Sequence, residues 1–192
     1  MPVSRSFPIS GKKTLLVFTA VAAVSLALLN PSWAAGRRPV PPEDGWGFAV
    51  KEPAERRAAP EFSLPDLNAA ERRLGDLRGS VVLLHFWASW CEPCKEEMPA
   101  LEELHKTLGE KGFTVIAVAV DSRARVEAFK GDYGLNLPVL IDRYGGVMRL
   151  YGIRAIPSSV AVDREGYVRG VMVGVQDYKS PEALDFFERL LR

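Results

Sequence analysis

The stretch that decides the fold is Val81-Val-Leu-Leu-His-Phe-Trp-Ala-Ser-Trp-Cys-Glu-Pro-Cys94. Residues 81–87 are a nearly continuous apolar run, which predicts a central strand buried on both faces. After a short turn, the amphipathic segment 95–111 carries apolar residues at helical spacing. A strand, a tight turn, two cysteines and a helix are therefore predicted to follow one another directly.

Cys91 and Cys94 are the only two cysteines among the 192 residues of the chain. At the first turn of a helix, free backbone N–H groups and the helix dipole favour negative charge. Because the thiolate is the reactive form of cysteine, this position favours Cys91 as a nucleophile near neutral pH. Cys94 is close enough in sequence to close a disulfide once Cys91 has reacted. The pair is predicted to be redox-active.

Other uses of a C-x-x-C pair fit this chain less well. A structural zinc site needs about four ligands, and only His85 and His105 remain as soft donors. Covalent haem attachment requires C-x-x-C-H, whereas residue 95 is Lys. A purely structural disulfide is the alternative, but it stabilises least when its loop is shortest. We therefore expect no metal and no cofactor.

Residues 1–35 have the pattern of a secretory signal. Three basic residues precede the uncharged run 14–29, Asn30-Pro31 then breaks the helix, and small residues near Ala35 fit a cleavage site. The run is slightly short for a membrane span of about 20 residues, so an uncleaved anchor with 14–29 as membrane tether is the alternative. Either way the cysteines are expected in the periplasm or at the outer face of the cytoplasmic membrane, where disulfides persist.

Charge and composition limit which partners and which domain organisation are expected for the rest of the chain. The formal charge is +1, and without residues 1–35, which carry three basic residues and no acid, it is −2. No concentrated basic face is apparent, so nucleic acid is not an expected partner. Residues 36–59 are rich in proline and charge and predict a linker, most simply a solvated, semi-extended tether. Trp46 and Phe48 are the residues that could instead dock on the domain or pack against a partner. The globular domain is placed at 60–192.

Strand and helix patterns alternate along this domain. The predicted strands lie at 62–64, 71–77, 81–87, 113–120, 138–141, 160–163 and 168–173. The predicted helices lie at 95–111, 123–133, 146–151 and 181–191. Strands alternating with helices, and ending in a hairpin and a helix, predict an α/β fold.

The stretch from Phe86 to Cys94 resembles the active site of the thioredoxin superfamily, in particular the extracytoplasmic thiol-disulfide oxidoreductases of the TlpA/ResA/CcmG type. Further matching motifs are Ala59-Pro-Glu-Phe-Ser-Leu-Pro-Asp-Leu67, Glu97 with Pro99, and Ile156-Pro157. The resemblance covers 60–192. It implies a thioredoxin-like fold, in which a central mixed β-sheet is flanked by helices. It also implies a short-strand extension at the N-terminus of the domain and this subgroup's helical insertion, at 123–133.

The resemblance also assigns roles at the site. Cys91 would attack a disulfide to form a mixed disulfide, and Cys94 would resolve it. Ile156-Pro157 matches the cis-proline that faces the thiols, and its backbone would pair with substrate as in β-strand addition. Trp90 would shield the thiol and offer an apolar contact to substrate. The alternatives are that Trp90 is a core residue and that Pro157 is an ordinary proline at the start of a strand.

Glu92 and Pro93 are expected to tune the pair. Pro93 suits the first helical turn. The charge of Glu92 beside Cys91 disfavours the thiolate, which argues for a reductant rather than a DsbA-like oxidant. Glu97 is either a first-turn acid favoured by the dipole or, by resemblance, part of the site.

The sequence leaves open which residue accepts the proton of the second cysteine. His85 stands where thioredoxins have a buried acid and many relatives have Asn. It either takes the acceptor role, with a pKa that burial lowers, or is a hydrogen-bonded core histidine. Asp121 falls near the place where ResA-like proteins put an acid beside the thiols, although an Asp after a strand is also an ordinary turn former.

The implied function is reduction of disulfides in exported proteins such as apocytochrome c, with electrons from a membrane donor of the DsbD/CcdA type. A general or specialised reductase unrelated to cytochrome c maturation is an alternative. Thiol peroxidase is a further alternative, because this class of enzyme shares an N-terminal stretch like Pro60–Leu67. The peroxidatic cysteine, however, resembles a T-x-x-C pattern, and Ala88 stands at the position of its Thr. The non-enzymatic alternative is a redox-inert, tethered interaction module.

Overall fold

The computed structural model describes residues 47–192. The predicted signal or anchor at 1–35, its tether 14–29 and the first part of the predicted linker lie outside this range. Within it, no helix combines the length and the apolar character needed to cross a membrane.

The described chain alternates short strands with helices. In chain order the strands are β1 (Arg57–Ala58), β2 (Ser63–Pro65), β3 (Glu71–Arg73), β4 (Val81–Trp87), β5 (Phe113–Ala119), β6 (Val139–Ile141), β7 (Ser158–Val162) and β8 (Tyr167–Val173). The helices are α1 (Glu92–Gly109), α2 (Arg123–Tyr133), α3 (Gly146–Leu150) and α4 (Pro181–Leu191), and Leu74–Leu77 is a 3₁₀ turn.

Six strands form one mixed sheet in the order β1-β8-β7-β4-β5-β6. Strands β4, β5 and β6 are parallel, whereas β7, β8 and β1 each pair antiparallel with their neighbour. Strands β2 and β3 form a separate hairpin. This architecture confirms the predicted α/β fold with a central mixed sheet.

Strand β4 lies at the centre of the sheet, and all seven of its residues are buried. Alternate residues face opposite sides, as the pleat requires. Val81, Leu83 and Trp87 belong to a core that α1, α2 and α4 cover. Val82, Leu84 and Phe86 belong to a second core, which includes residues of the β2–β3 hairpin and of α3. The side chain of His85, by this alternation, shares the face of Leu83 and Trp87.

The described part of the predicted linker is packed on the domain. Arg57–Ala58 pairs with β8, and Lys51 forms a β-bridge with Val171. The Phe48 ring lies against three aromatic rings of the α4 region. The ordered domain therefore begins before residue 60. The segment is short and mostly exposed, and its pairing depends on an edge that β8 supplies, which the segment's own pattern does not reveal.

The strand predicted at 71–77 ends early. It is extended only to Arg73, and Leu74–Leu77 is a 3₁₀ turn. The Asp76 carboxylate accepts a hydrogen bond from the Arg73 backbone N–H at 3.3 Å. A carboxylate that satisfies the N–H before a helical turn favours that turn over continued strand.

Candidate active site

The two cysteines lie where β4 passes into α1. Cys91 is the N-cap of α1, and its carbonyl oxygen accepts the backbone N–H of Lys95 at 3.2 Å. The Cys91 backbone N–H donates to the Ala88 carbonyl at 3.1 Å, which closes the turn after the strand. Pro93 occupies the first turn of the helix, where its missing N–H costs no hydrogen bond. Cys91 and Cys94 form a disulfide.

The two sulfur-bearing residues differ in access to solvent. Cys91 is 6 % exposed, whereas Cys94 is fully buried at 0 %. Trp90, directly before the pair, is 63 % exposed and offers an apolar surface beside Cys91. Only the Cys91 side of the disulfide therefore borders solvent.

The charge of Glu92 is balanced within the same helical turn. Its carboxylate is exposed and accepts a hydrogen bond from the Lys95 ammonium at 3.0 Å. This bond raises the pKa of Lys95. A solvent-screened carboxylate paired with a cation has little net field at a neighbouring thiol. The sequence argument that Glu92 favours a reductant is therefore weakened.

Asp121 holds the loop that precedes the cysteines. Its carboxylate accepts the Ser89 backbone N–H at 3.1 Å and the Ser89 hydroxyl at 2.5 Å. The other carboxylate oxygen accepts the Ser122 N–H at 2.7 Å. The structure thus gives Asp121 direct contacts with the loop of the cysteines.

The peptide bond between Ile156 and Pro157 is cis. Ile156 is half-buried and packs against the core cluster that contains both cysteines. Pro157 is buried, and its carbonyl oxygen accepts the Gly174 N–H at 2.9 Å. These contacts fix the loop that enters β7.

A polar pair is buried between α1 and the sheet. Glu97 is three residues after Cys94 on α1, so the two side chains lie on neighbouring parts of one helix face. The Glu97 Oε2 atom is 3.9 Å from Nε2 of His85, and neither atom has a hydrogen-bond partner among the described residues. Glu97 Oε1 accepts the Gln176 backbone N–H at 2.7 Å.

Burial shifts the pKa of both members of this pair. Desolvation raises the pKa of Glu97 to about 8, and the hydrogen bond from Gln176 opposes that rise. Desolvation lowers the pKa of His85 to about 3. Near neutral pH the imidazole is therefore uncharged, and the carboxyl group is close to its midpoint. A carboxyl group near its midpoint can take up and release protons readily.

The family model described as the AhpC/TSA family matches residues 56–171. The chain belongs to this family. It is 39 % identical over 117 residues to the thiol-disulfide oxidoreductase ResA of Geobacillus thermodenitrificans, covering 60 % of this chain and 67 % of that protein.

Solved structures agree with this assignment. The chain is similar to a putative thiol:disulfide interchange protein DsbE from Chlorobium tepidum, with a TM-score of 0.68 and 31 % identity over 75 % of this chain and 100 % of that one. It is also similar to a secreted thiol-disulfide isomerase from Corynebacterium glutamicum, with a TM-score of 0.67 and 26 % identity over 79 % and 96 % of the two chains. The protein is a thiol-disulfide oxidoreductase of the ResA/DsbE type.

Three residues of the oxidoreductase site were not predicted. Ser159 and Tyr178 form a hydrogen-bonded chain with His85, and Gln176 contacts Glu97. Only the pairing of β7 with β4, which places Ser159 directly opposite His85, brings the first of them to the site. Gln176 and Tyr178 arrive on the loop after β8. No local pattern in the sequence marks such partners.

The described residues offer no evident metal site. Among residues 47–192, no group of three or more His, Cys, Asp or Glu side chains is placed to hold an ion. The groups that the structure brings together at the site are two cysteines, a carboxyl group and an imidazole.

Proposed function

We propose that this oxidoreductase acts as a reductant of disulfides in exported proteins, with Cys91 as attacking thiol and Cys94 as resolving thiol. The observation that carries the assignment of roles is the difference in access: Cys91 borders solvent beside exposed Trp90, and Cys94 is buried. The N-cap position of Cys91 supports its role, because the helix N-terminus stabilises a thiolate there.

The reaction takes two exchange steps. The Cys91 thiolate attacks one sulfur of the substrate disulfide, so that a Cys91–substrate disulfide forms and the first substrate sulfur leaves as a thiolate. Cys94 then loses its proton and attacks the Cys91 sulfur. The Cys91–Cys94 disulfide forms, and the second substrate thiolate leaves. Two electrons pass from the enzyme to the substrate, and the two protons of the enzyme thiols end on the two product thiols.

Glu97 is the acceptor that we propose for the Cys94 proton. It is buried, lies on the same helix face as Cys94, and has a pKa raised to about 8, close to that of a thiol. Ile156 and Pro157 would flank the bound substrate, whose extended chain would pair with their backbone. Trp90 would cover the apolar side of the mixed disulfide.

The compartment and client belong to the same proposal. The pattern of residues 1–35 supports export, and the similar Corynebacterium protein is described as secreted. Because disulfides form in such compartments, a reductant there needs a supply of electrons. We propose a membrane donor of the DsbD/CcdA type as this supply, and the C-x-x-C-H thiols of apocytochrome c as a client.

Trapping tests the proposal. In cells that express Cys94→Ala, the second step is blocked, and Cys91 should accumulate as mixed disulfides that a non-reducing gel resolves and mass spectrometry identifies. Apocytochromes among the trapped proteins would support the maturation role. Cell-envelope or secreted enzymes without apocytochromes would leave a reductase with other clients.

A matched control separates specific trapping from general thiol chemistry. Cys91→Ala leaves only the buried thiol and should trap no client. The purified wild-type protein should reduce insulin when a dithiol is supplied. Absence of both insulin reduction and trapped proteins would reject the reductase and favour the redox-inert module. Rapid consumption of peroxide would instead favour a thiol peroxidase.

The electron donor is tested by the redox state of the pair in cells. Loss of a membrane donor of the DsbD/CcdA type should leave Cys91 and Cys94 oxidised, so that neither reacts with an alkylating reagent. An unchanged proportion of reduced protein would reject this partner.

A further inference from the structure

A chain of buried hydrogen bonds leads from Tyr178 to the Glu97 carboxyl group. The Tyr178 hydroxyl lies 2.7 Å from Oγ of Ser159, and Oγ of Ser159 lies 2.9 Å from Nδ1 of His85. His85 Nε2, on the other side of the ring, is the atom 3.9 Å from Glu97 Oε2. All four side chains are buried.

The number of hydroxyl hydrogens determines which group donates in each of these hydrogen bonds. Tyr178 and Ser159 each have one hydroxyl hydrogen, and Ser159 is the only described partner of the Tyr178 hydroxyl. If Tyr178 donates to Ser159 and Ser159 donates to His85, both hydrogens are used. In any arrangement where His85 Nδ1 donates to Ser159, one buried hydroxyl hydrogen has no acceptor among the described residues. An unpaired buried donor is costly, whereas in the first arrangement the remaining donor, His85 Nε2–H, faces the Glu97 carboxyl oxygen at 3.9 Å, so the first arrangement is favoured.

The same direction decides the tautomer of His85. Nδ1 accepts the Ser159 hydroxyl, so in the neutral ring the proton resides on Nε2. The Nε2–H group then faces Glu97 Oε2, while the Gln176 N–H binds Oε1. Each of the two Glu97 carboxyl oxygens thus faces an N–H donor, and such donors favour the ionised form of the carboxyl group.

We propose that Ser159 and Tyr178 are positioning residues that lock His85 as its Nε2–H tautomer, making the imidazole a fixed donor toward the ionised Glu97 carboxylate. His85 is then a support for the proton acceptor and not the acceptor itself, because its one lone pair is already occupied by Ser159. Only the catalytic consequence of this tautomer rests on the proposed role of Glu97 as proton acceptor. The tautomer and the titration of Glu97 are properties of the folded chain.

The titratable groups around Glu97 are few. His85 faces it from β4, Tyr178 from the loop before α4, and Cys94 lies one turn earlier on α1. Desolvation, with the charge of Glu97, raises the pKa of Tyr178, so this phenol stays protonated and remains a donor across the working range. The neutral form of His85 is likewise retained, since burial lowers its pKa.

The tautomer is read directly by ¹⁵N–¹H correlation on the imidazoles of the full-length oxidised chain. His105 serves as an internal reference, because its Nδ1 accepts the Val115 N–H at 3.1 Å and so also leaves the proton on Nε2. The sequence has only these two histidines. We expect Nε2–H signals from both rings. A proton on Nδ1 of His85, or fast exchange between the two nitrogens, would overturn the proposal.

Substitution tests the lock. In Ser159→Ala, a protonated Glu97 is free to donate to Nε2 of His85, whose proton then moves to Nδ1. The acid form of Glu97 gains a partner, so its titration midpoint, followed by carboxyl ¹³C shift, should rise by roughly half to one pH unit. Tyr178→Phe should give a smaller rise, because the Ser159 hydroxyl keeps its acceptor but loses its donor.

Two matched variants distinguish this lock from general loosening of the core. Ser158→Ala removes a neighbouring buried hydroxyl whose bond goes to the Ala155 carbonyl, and Tyr151→Phe removes a buried phenol bonded to the Pro60 carbonyl. Both should leave the Glu97 midpoint and the His85 tautomer unchanged. Equal midpoint shifts in these variants, or none in Ser159→Ala, would reject the positioning role. Neither measurement uses a client protein, so failure of the proposed function would leave this result intact.

Discussion

Glu97 Oε2 and His85 Nε2 lie 3.9 Å apart in the layer between α1 and the sheet, just beyond hydrogen-bond distance. Glu97 is on the helix that begins at the cysteines, and His85 is on the central strand that precedes them. Burial acts on both groups in the same way, by disfavouring the charged form. Near neutral pH the imidazole is therefore uncharged, while the Glu97 carboxyl group, with a pKa of about 8, can still bind or release a proton.

Glu97 and His85 predict a characteristic dependence of stability on pH. The pKa of Glu97 is about 8 in the folded chain against 4.5 ordinarily, so folding retains a proton and stability falls as pH rises through this window. The pKa of His85 is about 3 against 6.5, so the unfolded chain binds the proton and stability falls as pH drops. Between about pH 4.5 and 6.5 the two slopes oppose each other, and we expect a plateau.

Glu97→Gln should remove the upper limb of this profile. Wild type should lose about 2 kcal/mol of unfolding free energy between pH 6.5 and 8, and the variant should not. Denaturant unfolding of the oxidised protein across this range measures the difference. Glu92→Gln, at an exposed carboxylate, is the control and should follow wild type. A decline in Glu97→Gln as steep as that of wild type would contradict the assignment.

Much of the fold follows from local sequence signals. The bounds predicted for α2 and α4 agree with the structure. For α2 the reason is Gly134, which adopts the left-handed conformation that ends a helix. For α4 it is Ser180, which accepts the Ala183 N–H before Pro181. Such signals act over a few residues, and a sequence displays them directly.

The site was only partly predictable for a physical reason. The cysteines, Glu97 and His85 lie on one continuous stretch, so their order along strand and helix places them together. Ser159 reaches His85 only through the register of β7 on β4, and Gln176 reaches Glu97 from a loop beyond β8. Contacts between segments this far apart depend on tertiary pairing, which no short pattern encodes.

Asp121→Ala should release the loop before the cysteines. The substitution leaves two Ser89 donors and the Ser122 N–H without their acceptor. We expect a loss of about 1–3 kcal/mol in unfolding free energy. We also expect slower reaction of Cys91 with disulfides, since its turn is no longer anchored. Denaturant unfolding and stopped-flow exchange with a small disulfide measure the two effects.

Asp185→Ala is a suitable comparison for Asp121→Ala. Asp185 is exposed on α4, where its partner is Arg189 at i+4, and surface pairs of this kind contribute little. The unfolding free energy of the Asp185→Ala variant should stay within about 0.5 kcal/mol of wild type. If both Asp variants behave alike, Asp121 does not anchor the loop.

Trp90→Ala should separate recognition of proteins from thiol chemistry. The ring is 63 % exposed, so its removal should change unfolding free energy by less than about 0.5 kcal/mol. Reaction with a small disulfide should be nearly unchanged, whereas reduction of insulin should slow severalfold because an apolar contact is lost. Leu150→Ala, at another exposed apolar residue, should affect neither rate. Equal slowing with both substrates would assign Trp90 to the thiol environment instead.

Phe48→Ala tests whether the segment before β1 belongs to the domain. The Phe48 ring lies 5.8–6.2 Å, between centroids, from the rings of Tyr178, Phe186 and Phe187. Because the ring is half-buried, its loss should lower unfolding free energy by about 1–2 kcal/mol, less than for a fully buried Phe. Glu52→Ala, at an exposed position of the same segment, should change it by less than about 0.5 kcal/mol. The Phe48 ring also packs against Tyr178. Its removal should therefore weaken the hydrogen bond from Tyr178 to Ser159 and raise the titration midpoint of Glu97 slightly. A Phe48→Ala variant as stable as Glu52→Ala would mean that the segment is a tether, as its composition alone suggests.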